Sequence, residues 1–184
     1  MSNKRENITI DLKSLGMPMI KEIGLIHSHT ATALPWHTNS GFELTYAFTG
    51  EYIWEIEQRS SFERLHLTGG VLGLTPPNIP HRGYDSLIAP GELLYIVFNP
   101  ETDDAGKGLG LSERELCSFS SIWKNIAMGT APVDARTKNS CRLLAALLKE
   151  LEIPEDNSLW QYKLRIAIMQ VLLTALSCFQ NPVD

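Results

Sequence analysis

The sequence predicts a mainly β domain, a closed barrel or sandwich of short strands, followed by a smaller α-helical segment. Through residue 100, short apolar segments alternate with turn residues. After Pro100 this pattern stops, and apolar residues recur at helical spacing. The 184 residues are 43% hydrophobic and 20% charged, which suits one soluble globular domain with an appendage.

Seven segments of the first hundred residues carry strand signals. The segment 42–48 alternates large apolar with smaller or polar residues, which is typical of a half-buried strand, and Thr49-Gly50 then turns the chain into a hairpin. Many short strands at close spacing favour a barrel or sandwich, because closure removes exposed strand edges. The expected strands are 8–10, 23–29, 42–48, 52–57, 62–67, 71–74 and 93–98.

The remaining chain divides into a linker over 101–111 and a helical segment over 112–180. Ser112 and Glu115 have the spacing of a capping box, which predicts a helix from there to about residue 128. Asp134 can cap a second helix that ends near Glu152. Asn157 or Ser158 can cap the last one, over about 158–179.

The last predicted helix is apolar over more than one narrow stripe. At 1.5 Å per residue it would be ~33 Å long. Two interpretations stay open: the helix packs against the barrel and the other helices, or part of it forms a homodimer interface.

Charge and composition exclude several classes of function. The net charge is −5, and no basic run is longer than Lys4-Arg5, so we expect no direct nucleic-acid binding by this chain. No uninterrupted apolar run approaches the length of a membrane span, and the N-terminus lacks the apolar core of a secretory signal. We therefore expect a cytoplasmic protein, with Cys117, Cys141 and Cys178 reduced and buried or half-buried in the helices.

Two stretches carry the residues that suit metal chemistry. His37, Asn39 and Glu43 are evenly spaced, so a continuous strand places them on one face. His81 follows a rigid proline-rich turn. Two imidazoles and a carboxylate suit a divalent transition metal such as Zn, Fe, Ni or Mn, with Asn39 as a weaker, neutral ligand. The alternative is a metal-free polar cluster that contacts a ligand directly.

The spacing of these residues resembles the two motifs of the cupin superfamily. The first reads His-x-His, three or four residues, Glu, six residues, Gly. It stands here as His37-Thr38-Asn39, three residues, Glu43, six residues, Gly50. The resemblance implies a jelly-roll barrel, and it covers residues 37–85 when the second motif is included. Asn39 departs from it, because a second metal-binding His would stand there.

The second motif reads Gly, five residues, Pro-x-Gly, two residues, His, three residues, Asn. It stands here as Gly70, five residues, Pro76-Pro77-Asn78, two residues, His81, three residues, Asp85. Asn78 and Asp85 replace Gly and Asn. A fold resemblance of this kind does not itself establish an activity.

Finer features resemble the sensor half of AraC-type transcription regulators. These are Trp36-His37, the run 41–44, the run 76–83, the strand that ends at Pro100, and the helical appendage. The resemblance implies a barrel that binds a small effector, often a sugar, and helices that dimerise. No basic helical block follows, so we expect a part of a longer regulator without its DNA-binding half.

Five further residues are candidates to shape a ligand pocket. Aromatic rings stack on the apolar faces of sugars, and arginine pairs with hydroxyls or carboxylates. The candidates are Trp36, Tyr46, Trp54, Arg82 and Tyr84, although Tyr46 and Trp54 fit core packing equally well. His27 and His29 share the alternation of metal ligands, but they lack a following Glu at the right distance and are interpreted as surface or pocket-rim histidines. His66 is interpreted as a plain strand residue.

Three functional hypotheses follow. The first is an effector-sensing and dimerisation domain of an AraC-type regulator, in which effector binding shifts the contacts of the barrel with its N-terminal arm or helices. The alternative is a metal-dependent cupin enzyme, a dioxygenase or isomerase, that uses two His and one Glu. The third is a storage or structural dimer, which requires no pocket.

Overall fold

The computed structural model describes residues 7–12, 15–58, 61–150 and 158–180. These residues form antiparallel β sheets followed by helices, which confirms the predicted fold class. The strands are β1 (Asn7–Ile10), β2 (Ile20–Ser28), β3 (Thr32–Ala33), β4 (Phe42–Thr49), β5 (Glu51–Glu57), β6 (Phe62–Thr68), β7 (Val71–Thr75), β8 (His81–Gly83), β9 (Leu87–Ile88), β10 (Gly91–Phe98) and β11 (Gly129–Pro132). The helices are α1 (Glu113–Lys124), α2 (Ala135–Lys149) and α3 (Ser158–Gln180).

A six-stranded antiparallel sheet forms the middle of the molecule, in the order β1-β2-β10-β4-β7-β11. A three-stranded sheet, β6-β5-β8, and a two-stranded ribbon, β3-β9, form the rest. Among the described residues, backbone hydrogen bonding between strands does not join the three sheets into one. Their antiparallel arrangement fits a jelly roll. Strands β3, β8, β9 and β11 were absent from the sequence-based expectation, because segments of two to four residues carry little periodicity.

The two faces of the large sheet pack against different layers. On β4, Phe42, Leu44 and Tyr46 belong to a core cluster that includes residues of all three helices. Ala47 on the opposite face belongs to a second cluster with residues of the small sheet, such as Trp54. Because side chains alternate along a strand, Glu43 faces the small sheet as well. We call the space between the large and small sheets the inter-sheet space.

Helices α1 and α2 begin where capping residues predict them. Ser112 and Glu115 form the expected capping box, and the Asp134 side chain accepts a hydrogen bond from the Thr137 amide. Helix α1 ends at Lys124, four residues earlier than expected, because Gly129 begins a strand that pairs with β7. The expected end of the second helix near residue 152 and the candidate cap at 157 lie outside the described residues.

Helix α3 is long and apolar enough to cross a membrane by length and composition, in contrast to the sequence-based expectation. Half of that apolar window is buried inside the protein. Lys163 and Arg165 also interrupt it. The three cysteines are free, and Cys117 is exposed, whereas Cys141 and Cys178 are buried. Burial raises the pKa of Cys141 to about 12, so this thiol stays protonated.

Gly41 lets the start of β4 lie directly against β10. A Cβ at this position would be 2.3 Å from the carbonyl oxygen of Phe98. We expect Gly41→Ala to destabilise the fold by about 1–3 kcal/mol, the usual range for an overpacked site, as measured by chemical denaturation. Gly129→Ala is the matched control, since a Cβ there has no neighbour within 4 Å. Equal stabilities of the two variants would contradict this account.

Candidate metal centre

Three side chains of the two predicted motifs meet at one end of the inter-sheet space. Glu43 projects from β4 of the large sheet, and His81 opens β8 of the small sheet. His37 precedes β4, and its backbone forms a two-bond bridge with His81, with both N–H···O distances at 3.0 Å. The sequence-predicted convergence of these three residues is therefore present.

The geometry of the three residues suits a small cation. The distance from Glu43 Oε2 to Nε2 is 3.0 Å for His81 and 4.0 Å for His37. One ligand atom from each residue lies within 4.8 Å of the other two. His81 and Glu43 are buried, whereas the His37 side chain is 33% exposed, so the centre opens to solvent on the His37 side.

Backbone carbonyls fix the ring nitrogens of both histidines. Nδ1 of His37 lies 2.9 Å from the Pro35 oxygen, and Nδ1 of His81 lies 2.8 Å from the Ile79 oxygen. A carbonyl only accepts, so each Nδ1 carries the proton and donates it. Nε2 is then the nitrogen that each ring directs toward Glu43, which is the orientation that a metal ligand requires.

In the absence of a cation, the hydrogen bond between Nε2 of His81 and Glu43 requires a proton on Nε2 in addition to the one on Nδ1. Burial alone lowers the pKa of His81, but the hydrogen bond and charge of Glu43, with the Ile79 carbonyl, outweigh it and raise the pKa above its ordinary value. A bound divalent cation would take the place of that proton. Donor atoms, tautomer and charge therefore all fit a divalent metal.

Asn39 holds Glu43 in place. Its amide nitrogen donates a hydrogen bond to Glu43 Oε2, so it contacts the carboxylate rather than standing apart from the centre. Its backbone oxygen accepts from the amide of Asn78 at 2.8 Å, which joins the two motif segments. Asn78 has φ +60, a conformation that favours Gly but that Asn tolerates. This explains how Asn can stand where the cupin motif has Gly.

Three of the candidate pocket residues lie on the outer face of the small sheet. Trp36 and Arg82 each neighbour a centre histidine in sequence and therefore project to the opposite side. The Arg82 guanidinium lies 4.7 Å from the Trp36 ring centroid, and Arg64 lies 4.8 Å from that of Tyr84. Both arginines bind the buried carboxylate of Glu55. We call these five residues the outer clamp.

The outer clamp stabilises the backbone pairing of His37 with His81 from the outer face of the small sheet. Burial raises the pKa of Glu55, but the hydrogen bonds and charges of Arg82 and Arg64 outweigh it and lower the pKa. Glu55 is thus ionised and fixes Arg82, which covers Trp36. The backbone segments of His37 and His81 are thereby fastened together on the side away from Glu43. A ligand-binding role for Trp36, Arg82 and Tyr84 stays a prediction, and it would concern this outer surface.

Tyr46 and Trp54 point to different layers. Tyr46 packs against Phe48 on the helix-facing side of the large sheet, away from the centre. Trp54 lies in the inter-sheet core, as its pairing opposite Gly83 of β8 requires. Its buried indole N–H has no hydrogen-bond partner among the described residues.

The remaining histidines lie apart from the centre. His27 and His29 contact each other edge to face at 4.8 Å between ring centroids, near the rim of the large sheet. His66 lies on β6 and is exposed. Among the His, Cys, Asp and Glu side chains of the described residues, the group close enough to hold a metal is His37, Glu43 and His81.

Sequence reasoning missed one polar cluster that faces the same space. Tyr95 on β10 donates a hydrogen bond to Glu22 on β2 and lies 3.2 Å from the Thr9 hydroxyl on β1. These residues are distant in sequence and match no motif. Only the strand register, which pairs β10 with β2 and β2 with β1, brings them together.

No family model matches the chain, and no curated protein matches it. Solved structures similar to it include oxalate decarboxylase from Bacillus subtilis, with a TM-score of 0.40 and 14% identity over 55% of this chain and 27% of that chain. Hydroxypropylphosphonic acid epoxidase from S. wedmorenis has a TM-score of 0.34 and 14% identity over 44% of each chain. The chain thus spans about a quarter of the decarboxylase and under half of the epoxidase, and at these scores the likenesses carry no functional argument.

The raised pKa of His81 predicts how the metal-free protein responds to pH. The folded state holds the extra proton more tightly than the unfolded chain, so this stabilisation is complete below about pH 6.5. It is lost as pH rises through the raised pKa of the folded state. In the presence of a chelator, we expect the denaturant concentration at the unfolding midpoint to decrease as the pH rises from about 6 to about 9.

Glu43→Gln should flatten that part of the profile, because the charge that raises the pKa is gone. His66→Gln changes an exposed histidine and should keep the wild-type slope. A wild-type midpoint that rises over this range, or a slope that survives Glu43→Gln, would contradict the assignment.

Proposed function

We propose that this chain is a metal-dependent enzyme of cupin type, in which His37, Glu43 and His81 hold a divalent transition metal. The observation that carries the proposal is the meeting of three ligand atoms within 4.8 Å, with both histidines tethered through Nδ1. Structural metal sites are usually closed by four protein ligands, whereas three leave positions for water or substrate. The site therefore favours chemistry over a purely structural role.

The protein residues have distinct tasks at this centre. Glu43 supplies the negative charge, and Asn39 holds its carboxylate in position. His81, fully enclosed, fixes the buried side, and the half-exposed His37 borders the entrance. A divalent metal bound there would act as a Lewis acid that polarises an oxygen of the substrate. The reaction classes that suit such a site are dioxygenation and isomerisation of a small molecule.

Removal of one ligand should abolish metal binding. We expect His81→Gln to raise the Kd for Mn(II) or Zn(II) by more than the roughly 100-fold that loss of a ligand's hydrogen-bond partner can cause, as measured by calorimetric titration. The matched control is His29→Gln, which removes an exposed histidine of the other His-x-His pair. Wild-type affinity in the His81 variant would overturn the proposed site.

Enzymatic function has its own test. Elemental analysis of the purified protein identifies the metal, and a turnover screen with that metal then follows. Stoichiometric metal with metal-dependent turnover supports the enzyme. Stoichiometric metal without turnover, together with saturable small-molecule binding, favours a sensor instead.

The second candidate is the effector-sensing and dimerisation domain of an AraC-type regulator, and the surface of α3 favours it. Leu159, Tyr162, Ile166, Met169 and Leu173 recur at alternating spacings of three and four residues. All but the half-buried Met169 are exposed, and Ile166 is 67% exposed. This spacing fits the seam of a two-helix coiled coil, and we call these five residues the seam. A second copy of the chain, which has the same spacing, is the occupant that it fits.

The charges of α3 favour an antiparallel pair of such helices. The helix carries Lys163 and Arg165 and no acidic residue. A parallel pair would bring the cations of one helix close to the same cations of the other helix, and like charges at close range repel. An antiparallel pair centred between Ile166 and Met169 separates the cations of the two copies while the apolar seam stays in contact.

A charge in the middle of the seam should disrupt the dimer. We expect Ile166→Glu to be monomeric at protein concentrations where the wild type is dimeric, as measured by sedimentation equilibrium. Leu143→Glu is the matched control, because Leu143 is exposed on α2 outside the seam. If the wild type is monomeric, the proposed dimer interface is wrong, whereas the proposed metal site is unaffected.

A further inference from the structure

Helix α3 lines an open groove on the helical side of the molecule. Residues 108–110, in the loop before α1, and Arg136 of α2 form the rest of its lining. The groove has a volume of about 790 Å³, within the usual range for small-molecule sites. Along α3 the lining runs from Tyr162 to Thr174, which is ~18 Å at 1.5 Å per residue. We call this space the α3 groove, and its length suits an extended chain.

Contacts with the N-terminal segment hold the walls of the groove in place. A Cβ on Gly108 would be 1.9 Å from the carbonyl oxygen of Gly16, so the two backbones lie in direct contact. Arg165 of α3 donates from Nη2 to the neighbouring Leu15 oxygen at 3.2 Å. Its guanidinium also lies 5.7 Å from the ring centroid of Tyr162. Arg165 is therefore positioned before a ligand binds, which lowers the entropy cost of binding.

Most of the surface of the groove is apolar. Leu109 lies on the loop, and Ile166, Met169 and Leu173 recur at spacings of three and four residues along α3. Ile166 and Leu173 are both exposed to solvent. Large apolar side chains that are exposed side by side commonly form binding surfaces. Removal of these side chains from water by an apolar chain would be favourable.

Two arginines supply the charge of the lining. Arg165 lies near the middle of α3, and Arg136 lies toward the C-terminal end of this helix, because the adjacent Thr137 hydroxyl is 3.3 Å from Cys178 Sγ. Among the described residues, the lining includes no Asp or Glu. Neither arginine forms an ion pair with another described residue.

The surrounding charges do not reverse the positive sign of the lining. Asp134 interacts with Arg136, but its carboxylate also accepts from the Thr137 amide at 2.7 Å as the cap of α2. Beside the loop wall, Lys107 pairs with Asp104 at 2.9 Å. The other charged residues near the lining in sequence are exposed, so water and salt screen them. They are Asp103, Glu113, Arg114, Lys138 and Lys163. The chain as a whole is negative, at −5, so the cationic lining is a local feature.

An anion with an apolar chain fits the groove better than a second copy of the chain. The seam shares Ile166, Met169 and Leu173 with the groove, so a second copy and a ligand there exclude each other. The α3 of a second copy carries Lys163 and Arg165 and no acidic residue. It would therefore bring no counter-charge to the two arginines, whereas an amphipathic anion supplies both the charge and the apolar contact.

We propose that the α3 groove binds a single-chain carboxylate, such as a medium-chain fatty acid. Arg165 binds the carboxylate, since a guanidinium pairs with a carboxylate through parallel N–H···O bonds. The chain lies against Ile166, Met169 and Leu173, and Arg136 adds positive charge farther along the groove. Helix α3 packs on the face of the large sheet opposite to Glu43, so this inference does not depend on the proposed metal site.

The test measures the Kd of decanoate and of decanol for the full chain by calorimetric titration, below the concentration at which decanoate forms micelles. The two probes have the same chain length and differ in charge. We expect the wild type to bind decanoate at least tenfold more tightly than decanol, because hydrogen bonds to a charged group are the stronger ones. In Arg165→Gln, decanoate should bind about fivefold to tenfold more weakly, and decanol should keep its wild-type Kd.

Three further variants separate charge, chain contact and fold. Arg165→Lys keeps the charge without the planar guanidinium, and decanoate should bind within about threefold of the wild type. Leu173→Gln removes part of the apolar wall and should weaken both probes. The matched control is Arg142→Gln, which removes an exposed arginine of α2 that does not line the groove, and it should change neither Kd.

Three results would overturn the inference. The first is equal binding of the two probes to the wild type, or a decanoate Kd that Arg165→Gln leaves unchanged. The second is a wild type that binds neither probe, and if that protein is dimeric in sedimentation equilibrium, a second copy occupies the groove instead. The third is an equal loss of decanoate and decanol in both Arg165 variants, which would mean that Arg165 maintains the shape of the groove and does not bind the carboxylate.

Discussion

The contact between Glu43 and His81 is the interaction on which the architecture of the site depends. One residue comes from the large sheet and the other from the small sheet, and both are buried. A buried carboxylate is costly without a compensating positive charge. Either a proton on the imidazole or a bound cation supplies that charge, so the contact between the two sheets is also a place that stabilises a cation.

Other residues of the small sheet and its flanking loop hold the contact between Glu43 and His81 in a fixed geometry. The backbone bridge fixes His37 beside His81, and carbonyls fix both rings. On the other face of this backbone pairing, Arg82 forms an ion pair with the buried carboxylate of Glu55, and such a pair depends on good geometry and further hydrogen bonds to offset its desolvation. Arg64 supplies those hydrogen bonds. The outer clamp and the metal centre thus occupy opposite faces of one short backbone segment.

The sequence allowed the prediction of the metal ligands but not of the polar cluster that faces the same inter-sheet space. Fixed spacings within two motifs located His37, Glu43 and His81, because each motif is local along the chain. Side-chain alternation would also have placed Arg82 opposite to His81, and Tyr46 opposite to Glu43. Glu22 and Tyr95 were beyond reach, since their proximity depends on the register between β2 and β10, which no local pattern specifies. The short strands β3, β8, β9 and β11 were missed for a different reason, because two to four residues carry little periodicity.

Anomalous diffraction from crystals grown with Mn(II) is the most direct test of the central claim. The account predicts one peak about 2.0–2.2 Å from Nε2 of His37, Nε2 of His81 and a carboxylate oxygen of Glu43, the usual range for nitrogen and oxygen ligands of a divalent metal. An occupied metal position elsewhere, such as at His27 and His29, with no density among the three predicted ligands, would contradict it.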